Sequence, residues 1–425
     1  MIESSMSRPP VWRPALILCC VLSLLAGAAI SQELDSSEDR RVPPPNDRLH
    51  ETLFDDVRVT TAVPSAAETR QIFGANLYRR NIQPVWVQIE NQSDETLWFL
   101  PLGLDEQYFT PIEAIYRRAK RNAALDFGSV RDIYDSSMRL RLDSGAVRSG
   151  YVFSRVDEGT KSFNVDVVGD DGKHYLMTFF VPVPGLRVDH YRIDWENLYS
   201  QEEFRDVDRD GLIAGLQALP CCATDESGEE NADPLNIALV GRPRDLYYAL
   251  LRAGWDETEV VYRASVLKTI ASSLAGKEYR YSPVSSLYVF GRAQDAALQK
   301  ARDNIDQRNH LRLWMTPMRY EGKPVWIGQI SRDIGVRLTW KTITTHKIDP
   351  DVDETREYLL EDIAYAQSLE KLGYVTGVGA APYDKPRGNL TGDPYFTDGL
   401  RVVLFVSAEP MDISEIQVLD LGATP

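Results

Sequence analysis

The sequence NIALVG, at residues 236–241, decides how the second half of this chain is predicted to fold. It is a short, continuous apolar run that ends at a glycine, a pattern typical of a buried β-strand. From Pro234 onward, strand-like runs alternate with segments of helical periodicity. Such alternation favours an α/β or α+β domain with a mixed sheet. We therefore predict this domain for residues 233–412.

The elements of this domain are predicted from apolar periodicity and from turn residues. Helices are expected at residues 244–253 and 353–372, and each range is followed or closed by a glycine, which commonly ends a helix. Further strands are expected at residues 287–290, 311–314, 324–330 and 399–406, with a turn at 321–323.

The preceding segment, residues 66–195, has the alternating pattern of short antiparallel strands. Apolar residues alternate at 85–89 and resume at 97–102 after a polar turn, which predicts a hairpin. A second hairpin is predicted for residues 163–181 around the turn sequence GDDG, and one helix for residues 111–124. We therefore expect a mostly antiparallel β-sandwich here and a two-domain α+β protein as a whole.

The remaining segments are predicted from composition. An apolar run of 16 residues follows two arginines near the N-terminus, which is typical of a signal peptide, with an uncleaved anchor as the alternative. The predicted segments are a signal peptide or anchor at 1–31, a disordered linker at 32–65, a connector at 196–232 that contains a short helix at 209–219, and a tail at 413–425.

The charge of the chain excludes one class of partner. The 425 residues carry a formal net charge of −16. Nucleic-acid binding needs clustered Lys and Arg, so we predict no nucleic-acid partner. The same charge disfavours adhesion to anionic lipid. We expect membrane contact only through the N-terminal segment, if that segment is uncleaved.

The acidic sequence THKIDPDVDETREYLLED, at residues 345–362, contains the densest group of possible metal ligands. The candidate ligands are His346, Asp349, Asp351 and Asp353. Imidazole and carboxylate groups together suit zinc or another divalent ion, which could activate water for hydrolysis. The same residues are also typical of a helix start, with Asp349 as the N-cap and a proline after it. The sequence leaves both interpretations open.

Two residues outside this stretch are candidate catalytic groups. His310 precedes the strand sequence LRLW and could act as a further metal ligand or as the general base. Asp333, in the predicted loop SRDIGVR, could bring a carboxylate to the same site. The alternative for His310 is a structural hydrogen bond at a strand edge. The loop GDPYFTDG, with Asp393 and Asp398, is interpreted as a turn.

The cysteines outside the N-terminal run are Cys221 and Cys222. Neighbouring Cα atoms lie about 3.8 Å apart, whereas a disulfide usually spans about 4.4–6.8 Å. We therefore predict no ordinary disulfide and interpret the two cysteines as a buried, reduced pair.

Several sequence blocks resemble the LssY-like C-terminal domain family, over roughly residues 200–410. They are LPCC (219–222), DPLNIALVG (233–241), LLRAGW (250–255), SPVSSLYVFGR (282–292), ALQKAR (297–302), RNHLRLW (308–314), WIGQISRDIGVR (326–337), THKIDPDVD (345–353) and NLTGDPYFTDG (389–399). The resemblance implies a bacterial envelope protein. Relatives of this domain occur joined to membrane phosphatidate-phosphatase-like or DedA-like modules, and the family implies no particular reaction.

Two functions from different classes follow. The first is an exported, non-catalytic binding or accessory module without a cofactor, located in the periplasm or anchored to the inner membrane. Its partner would be an envelope protein or a lipid-linked component. The alternative is a metal-dependent hydrolase that acts on a phosphorylated or lipid-linked substrate and uses one divalent ion such as zinc.

Overall fold

A computed structural model describes residues 48–118, 127–183, 193–194, 197–258, 281, 284–301, 308–337, 345–407 and 409–425. The predicted signal segment 1–31 lies outside the described residues. The chain divides into two compact units, Met1–Val156 with Val165–Met177, and Asp157–Asn164 with Thr178–Pro425. The second unit therefore includes part of the hairpin that sequence analysis assigned to the first domain.

The elements before residue 184 are mostly strands. They are β1 (His50–Phe54), β2 (Val57–Ala62), β3 (Gln83–Asn91), β4 (Leu97–Leu100), β5 (Arg141–Leu142), β6 (Val147–Ser154), β7 (Gly159–Gly169) and β8 (His174–Val183), with helices α1 (Ala66–Phe73), α2 (Pro111–Arg118) and α3 (Phe127–Ser136) and 3-10 turns at Tyr78–Arg80 and Pro101–Gly103. The strands form two four-stranded sheets, in the orders β1-β2-β3-β6 and β5-β4-β7-β8.

Two predictions for this part of the chain were wrong. The predicted linker contains β1 and β2, because the apolar side chains of β2 are buried where it pairs with β3. The predicted hairpin between 85–89 and 97–102 is absent, since β3 pairs with β2 and β6 whereas β4 pairs with β5 and β7. The Asn91 amide donates to the carbonyls of Glu95 and Asp143, which fixes the chain as it leaves one sheet for the other.

The second predicted hairpin is confirmed, because β7 and β8 are neighbours in the sheet. Gly172 has φ +83° in its turn, a left-handed conformation that suits glycine. The helix predicted at 111–124 begins as α2 at Pro111, and residues 119–126 lie outside the described part. The antiparallel sheets agree with the predicted architecture, while their packing as a sandwich stays a prediction.

The second half of the chain alternates strands with three helices in its described part. The strands are β9 (Arg205–Val207), β10 (Cys222–Thr224), β11 (Asn231–Pro234), β12 (Ile237–Val240), β13 (Asp256–Glu257), β14 (Tyr288–Val289), β15 (Arg292–Ala293), β16 (Ala296–Ala301), β17 (Arg308–Tyr320), β18 (Lys323–Arg337), β19 (Thr345–Ile348), β20 (Leu369–Thr376), β21 (Arg387–Gly388), β22 (Pro394–Tyr395), β23 (Leu400–Val406) and β24 (Gln417–Val418). The helices are α4 (Arg209–Ala218), α5 (Pro243–Arg252) and α6 (Val352–Tyr365), with a 3-10 turn at Ile413–Glu415.

A ten-stranded mixed sheet organises this half, with β13-β16-β17-β18-β12-β23-β20-β24 as its main order. The strand β12, from NIALVG, lies in its middle, antiparallel to β18 and parallel to β23. The predicted mixed sheet is therefore confirmed. Side chains alternate between the faces, so that Leu311 and Leu313 join the core cluster that also contains α5 and α6 residues, whereas Trp314 packs in a cluster on the opposite face.

The prediction of one long helix at 353–372 was wrong for the second half of that range. Helix α6 ends at Tyr365, and Leu369–Thr376 is strand β20, which pairs with β23. Gly373 does not end a helix. A Cβ atom at this position would lie 2.8 Å from the carbonyl oxygen of Leu419, so the close approach of the neighbouring chain requires glycine. Among the described helices, none is long and apolar enough to cross a bilayer.

Candidate functional site

The acidic stretch before α6 forms the start of that helix. The Asp351 carboxylate accepts hydrogen bonds from the backbone N–H groups of Asp353 and Glu354, both at 3.2 Å, and is the N-cap. Asp349 accepts a bond from the Asp351 backbone at 3.1 Å. The N-cap therefore lies two residues after the predicted one, because Asp349 forms a local turn that precedes the helix.

Asp353 connects the helix start to the loop that precedes β23. Its carboxylate accepts bonds from the Thr397 hydroxyl at 2.7 Å and from the Asp398 backbone at 2.6 Å. The buried Arg356 guanidinium pairs with Asp353 at 3.2 Å and binds both carboxylate oxygens of Asp398, at 2.8 and 3.0 Å. Burial raises the pKa of Asp353, and the surrounding donors oppose that rise. These bonds fix the loop GDPYFTDG against the helix.

The metal-ligand assignment of this stretch stays a prediction. His346 lies in β19 opposite Val336, and its side chain falls outside the described residues. Within the part of the chain that the structure describes, no group of three or more His, Cys, Asp or Glu side chains is placed to hold a metal ion.

The two candidate catalytic residues contact each other. His310 on β17 and Asp333 on β18 are buried, and His310 Nε2 lies 2.6 Å from Asp333 Oδ2. Asp333 is therefore in a strand and not in the predicted loop. Burial lowers the pKa of His310 to about 4, and the nearby Arg308 adds to this effect while Asp333 opposes it. The imidazole is consequently neutral at pH 7, and its Nε2 is hydrogen-bonded to the Asp333 carboxyl group.

A buried row of polar side chains extends from this pair along the sheet face that also carries Trp314. Arg308 donates to Gln299 at 2.8 Å, and Arg312 donates to Gln329 at 2.7 Å. Gln329 in turn donates to Asp233 at 3.2 Å. The alternation of Arg, His and Arg in RNHLR is the sequence signal for this row, because alternate residues of a strand share one face. All members are buried, and their hydrogen bonds join neighbouring strands of the sheet. The assignment of His310 and Asp333 as catalytic groups stays a prediction.

The state of the two cysteines differs from the predicted reduced pair. Cys221 and Cys222 form a disulfide between neighbouring residues, with Cα atoms 3.8 Å apart. The prediction of a reduced pair was wrong, because a short Cα separation excludes an ordinary disulfide but not one closed across a single peptide bond. Cys222 is buried, and its sulfur lies 3.8 Å from the Tyr395 hydroxyl.

A cavity of about 470 Å³ lies within the second unit, beside α5 and the sheet face that carries Leu298, Leu313 and Trp326. This volume falls within the range of small-molecule sites. The walls are mainly apolar and come from the described residues Thr160, Phe180, Pro182, Ile193, Pro243, Arg244, Leu246, Tyr247, Tyr248, Leu250, Ala296, Leu298, Leu313 and Trp326. Sequence analysis missed this cavity because its walls come from segments far apart in the chain.

Aromatic rings form one wall of the cavity. The rings of Phe180 and Tyr248 stack with their centroids 3.8 Å apart and their planes 2° from parallel. The Arg244 guanidinium lies 5.0 Å from the centroid of the Tyr248 ring, which is within cation–π range. These flat groups give the wall a defined shape.

A hydrogen-bonded group lies behind another part of the wall. The Tyr247 hydroxyl contacts the Glu257 carboxylate and lies 3.0 Å from the Thr160 hydroxyl. The Thr160 backbone N–H donates to Glu257 at 2.6 Å. Glu257 is almost fully buried, and this burial raises its pKa to about 7 although the hydrogen bonds from Tyr247 and Thr160 oppose the change.

The second half of the chain matches a known protein family. Residues 216–400 match the model of the LssY C-terminus family. This segment is an LssY C-terminal domain. The match confirms the resemblance found in the sequence and covers somewhat less than half of the 425 residues. No curated protein matches the chain.

The LssY C-terminal domain contains the acidic stretch, the His310–Asp333 pair and most of the cavity wall. The wall residues that lie before the domain are Thr160, Phe180, Pro182 and Ile193. The cavity is thus built by the LssY C-terminal domain together with residues from the end of the β7–β8 hairpin and the segment after it.

Proposed function

We propose that this protein is a binding module that takes an apolar small molecule or acyl chain in the cavity beside α5. The observation that carries this proposal is a mainly apolar cavity of about 470 Å³, lined by buried residues of the sheet and by the exposed Arg244 and Pro182. An apolar occupant would remove these walls from water, which is favourable by about 25 cal/mol per Å² of apolar surface.

The shape of the cavity supports an apolar ligand. Its floor consists of Leu298, Leu313 and Trp326, each at most 2% exposed. The stacked rings of Phe180 and Tyr248 offer a flat apolar side. Ligand sites of this kind use many apolar contacts for affinity and a few polar groups for orientation.

The proposed location is the bacterial envelope, either exported to the periplasm or anchored through residues 1–31. Two observations support this location: the apolar run that follows two arginines near the N-terminus, and the LssY C-terminal domain. The proposed partner is an envelope protein or a lipid-linked component, and no cofactor is needed for binding. An apolar cavity suits a component that carries a lipid chain.

The alternative, a metal-dependent hydrolase, has less support. Its proposed carboxylate ligands Asp351 and Asp353 already cap α6 and hold the loop before β23. The candidate base His310 is buried against Asp333. A water-activating metal site would need these groups as ligands around an open coordination position that water and substrate can reach.

A neutral fluorescent dye tests the binding proposal. We expect N-phenyl-1-naphthylamine to bind the purified protein at one site with increased fluorescence. The substitution Ala296→Leu adds bulk inside the cavity, and we expect it to weaken dye binding about tenfold, equivalent to about 1.4 kcal/mol.

The matched control is Ala249→Leu. Ala249 is a buried core residue of α5 that does not line the cavity. This change should lower thermal stability through overpacking while dye affinity is retained. Equal dye affinity in the wild type and Ala296→Leu, with both proteins folded, would contradict the proposal.

A further inference from the structure

We propose that the ligand of this cavity is an anionic amphiphile, whose chain fills the apolar interior and whose carboxylate or phosphate group meets Arg244 at the rim. This inference rests on the proposed binding function and names the chemical class of its ligand. The geometry that carries it is the separation of apolar and charged groups along the cavity.

The cavity has a buried end and an exposed end. Leu298, Leu313 and Trp326 are at most 2% exposed, whereas Arg244 and Pro182 are exposed. A molecule with one apolar end would therefore enter with that end toward Trp326. Its polar end would remain beside Arg244, where water can still reach it.

Arg244 provides the charge complementarity. Of the described residues that line the cavity, Arg244 is the one with a charged side chain. Its guanidinium lies over the Tyr248 ring, which stacks on Phe180. This stacking restricts the guanidinium, and a planar guanidinium binds carboxylate and phosphate groups through paired hydrogen bonds.

The neighbouring arginine is engaged elsewhere. The Arg242 guanidinium lies 3.4 Å from the Asp245 carboxylate, so much of its charge is balanced. Arg242 also does not line the cavity. It is exposed and lies two residues from Arg244, which makes it a matched control for a general change in surface charge.

The buried Glu257 lies behind the cavity wall. Its carboxyl group accepts hydrogen bonds from Tyr247 and Thr160, which both line the cavity. These two residues therefore donate within the protein, and Arg244 supplies the positive charge that the anionic group of the ligand would meet.

Displacement of N-phenyl-1-naphthylamine from the full-length protein tests this inference. The competitors share one chain length and differ in head group: dodecanoate, dodecyl phosphate, dodecanol and dodecyltrimethylammonium. At low salt, we expect at least one of the two anions to compete about tenfold better than dodecanol, and the cation to compete worst. The carboxylate and phosphate arms distinguish a fatty acid from a phosphate-bearing lipid.

Substitutions at the two arginines complete the test. Arg244→Gln should reduce the affinity of the anions to that of dodecanol and leave dodecanol unchanged, whereas Arg242→Gln should preserve the preference for anions. Equal competition by anions and alcohol in the wild-type protein would overturn the anionic class even if Arg244→Gln failed to fold. Failure of the dye itself to bind would instead overturn the proposed function.

Discussion

At the scale of single residues, the His310–Asp333 pair shows how burial changes the chemistry that a sequence suggests. A histidine and an aspartate were predicted as acid–base groups, and they do lie 2.6 Å apart. Both are buried in a row with Arg308 and Arg312, so their contact holds two strands in register. Their assignment as catalytic groups stays a prediction, since burial alone does not exclude proton transfer within a closed site.

The burial of His310 predicts a pH-dependent stability. Between pH 6.5 and about 4 the unfolded chain binds a proton at this residue and the folded chain does not, so stability should fall as the pH decreases through this window. A shift of this size corresponds to about 3 kcal/mol. Urea unfolding at several pH values should show a smaller acid-induced loss for His310→Gln. Parallel curves for the variant and the wild type would contradict this assignment.

Arg401 is a second buried residue with a specific structural role. Its guanidinium donates to the carbonyl of Leu235 at 2.9 Å and to the carbonyls at the end of α4, including that of Leu219 at 3.2 Å. Burial lowers its pKa to about 10, so it remains charged at neutral pH. A cation at a helix C-terminus is favourable because the carbonyl ends of the dipole face it.

We expect Arg401→Met to lower the free energy of unfolding by about 3 kcal/mol, because several buried carbonyl groups would lose their donor. Urea denaturation measures this change. The exposed Arg242→Gln is the control and should have an effect within about 0.5 kcal/mol. Equal effects of the two substitutions would show that Arg401 does not stabilise the end of α4.

At the scale of elements, apolar periodicity predicted most of the central sheet. The strand at NIALVG and the strands around LRLW and WIGQI were found, because buried strands contain continuous or alternating apolar residues. Strand β20 was missed because its apolar residues continue the spacing of α6. The false hairpin at 85–102 arose because a turn sequence does not reveal whether the chain returns to the same sheet.

The helix start at Asp351 gives a prediction that separates capping from metal binding. Asp351→Ala should cost about 1 kcal/mol, whereas Asp351→Asn should cost little, because asparagine caps a helix as well as aspartate does. Thermal unfolding of both variants measures the difference. Bound metal in the wild-type protein, detected by elemental analysis and lost in Asp351→Asn, would contradict a purely capping role.

At the scale of the whole molecule, the cavity could not have been predicted from the sequence. Its walls combine Thr160 and Phe180 with residues between 243 and 326, and only the tertiary fold brings these segments together. The match to the LssY C-terminus family identified the domain but not the cavity, since a fold does not specify a ligand.

The overall charge is compatible with an anionic ligand at one arginine. The net charge of −16 disfavours attachment of the whole protein to an anionic membrane surface. Screening limits such long-range repulsion to about 8 Å at physiological salt, so a guanidinium in direct contact still attracts a single anionic group. The protein is therefore proposed to bind individual molecules rather than a lipid surface.

Native mass spectrometry of the full-length protein with dodecanoate and, separately, with dodecyl phosphate tests the central claim most directly. For at least one of the two anions, we predict one bound molecule per chain in the wild type and in Ala249→Leu, and strongly reduced binding in Ala296→Leu. The same low occupancy in all three proteins, or equal binding in all three, would show that the cavity beside α5 is not a ligand site.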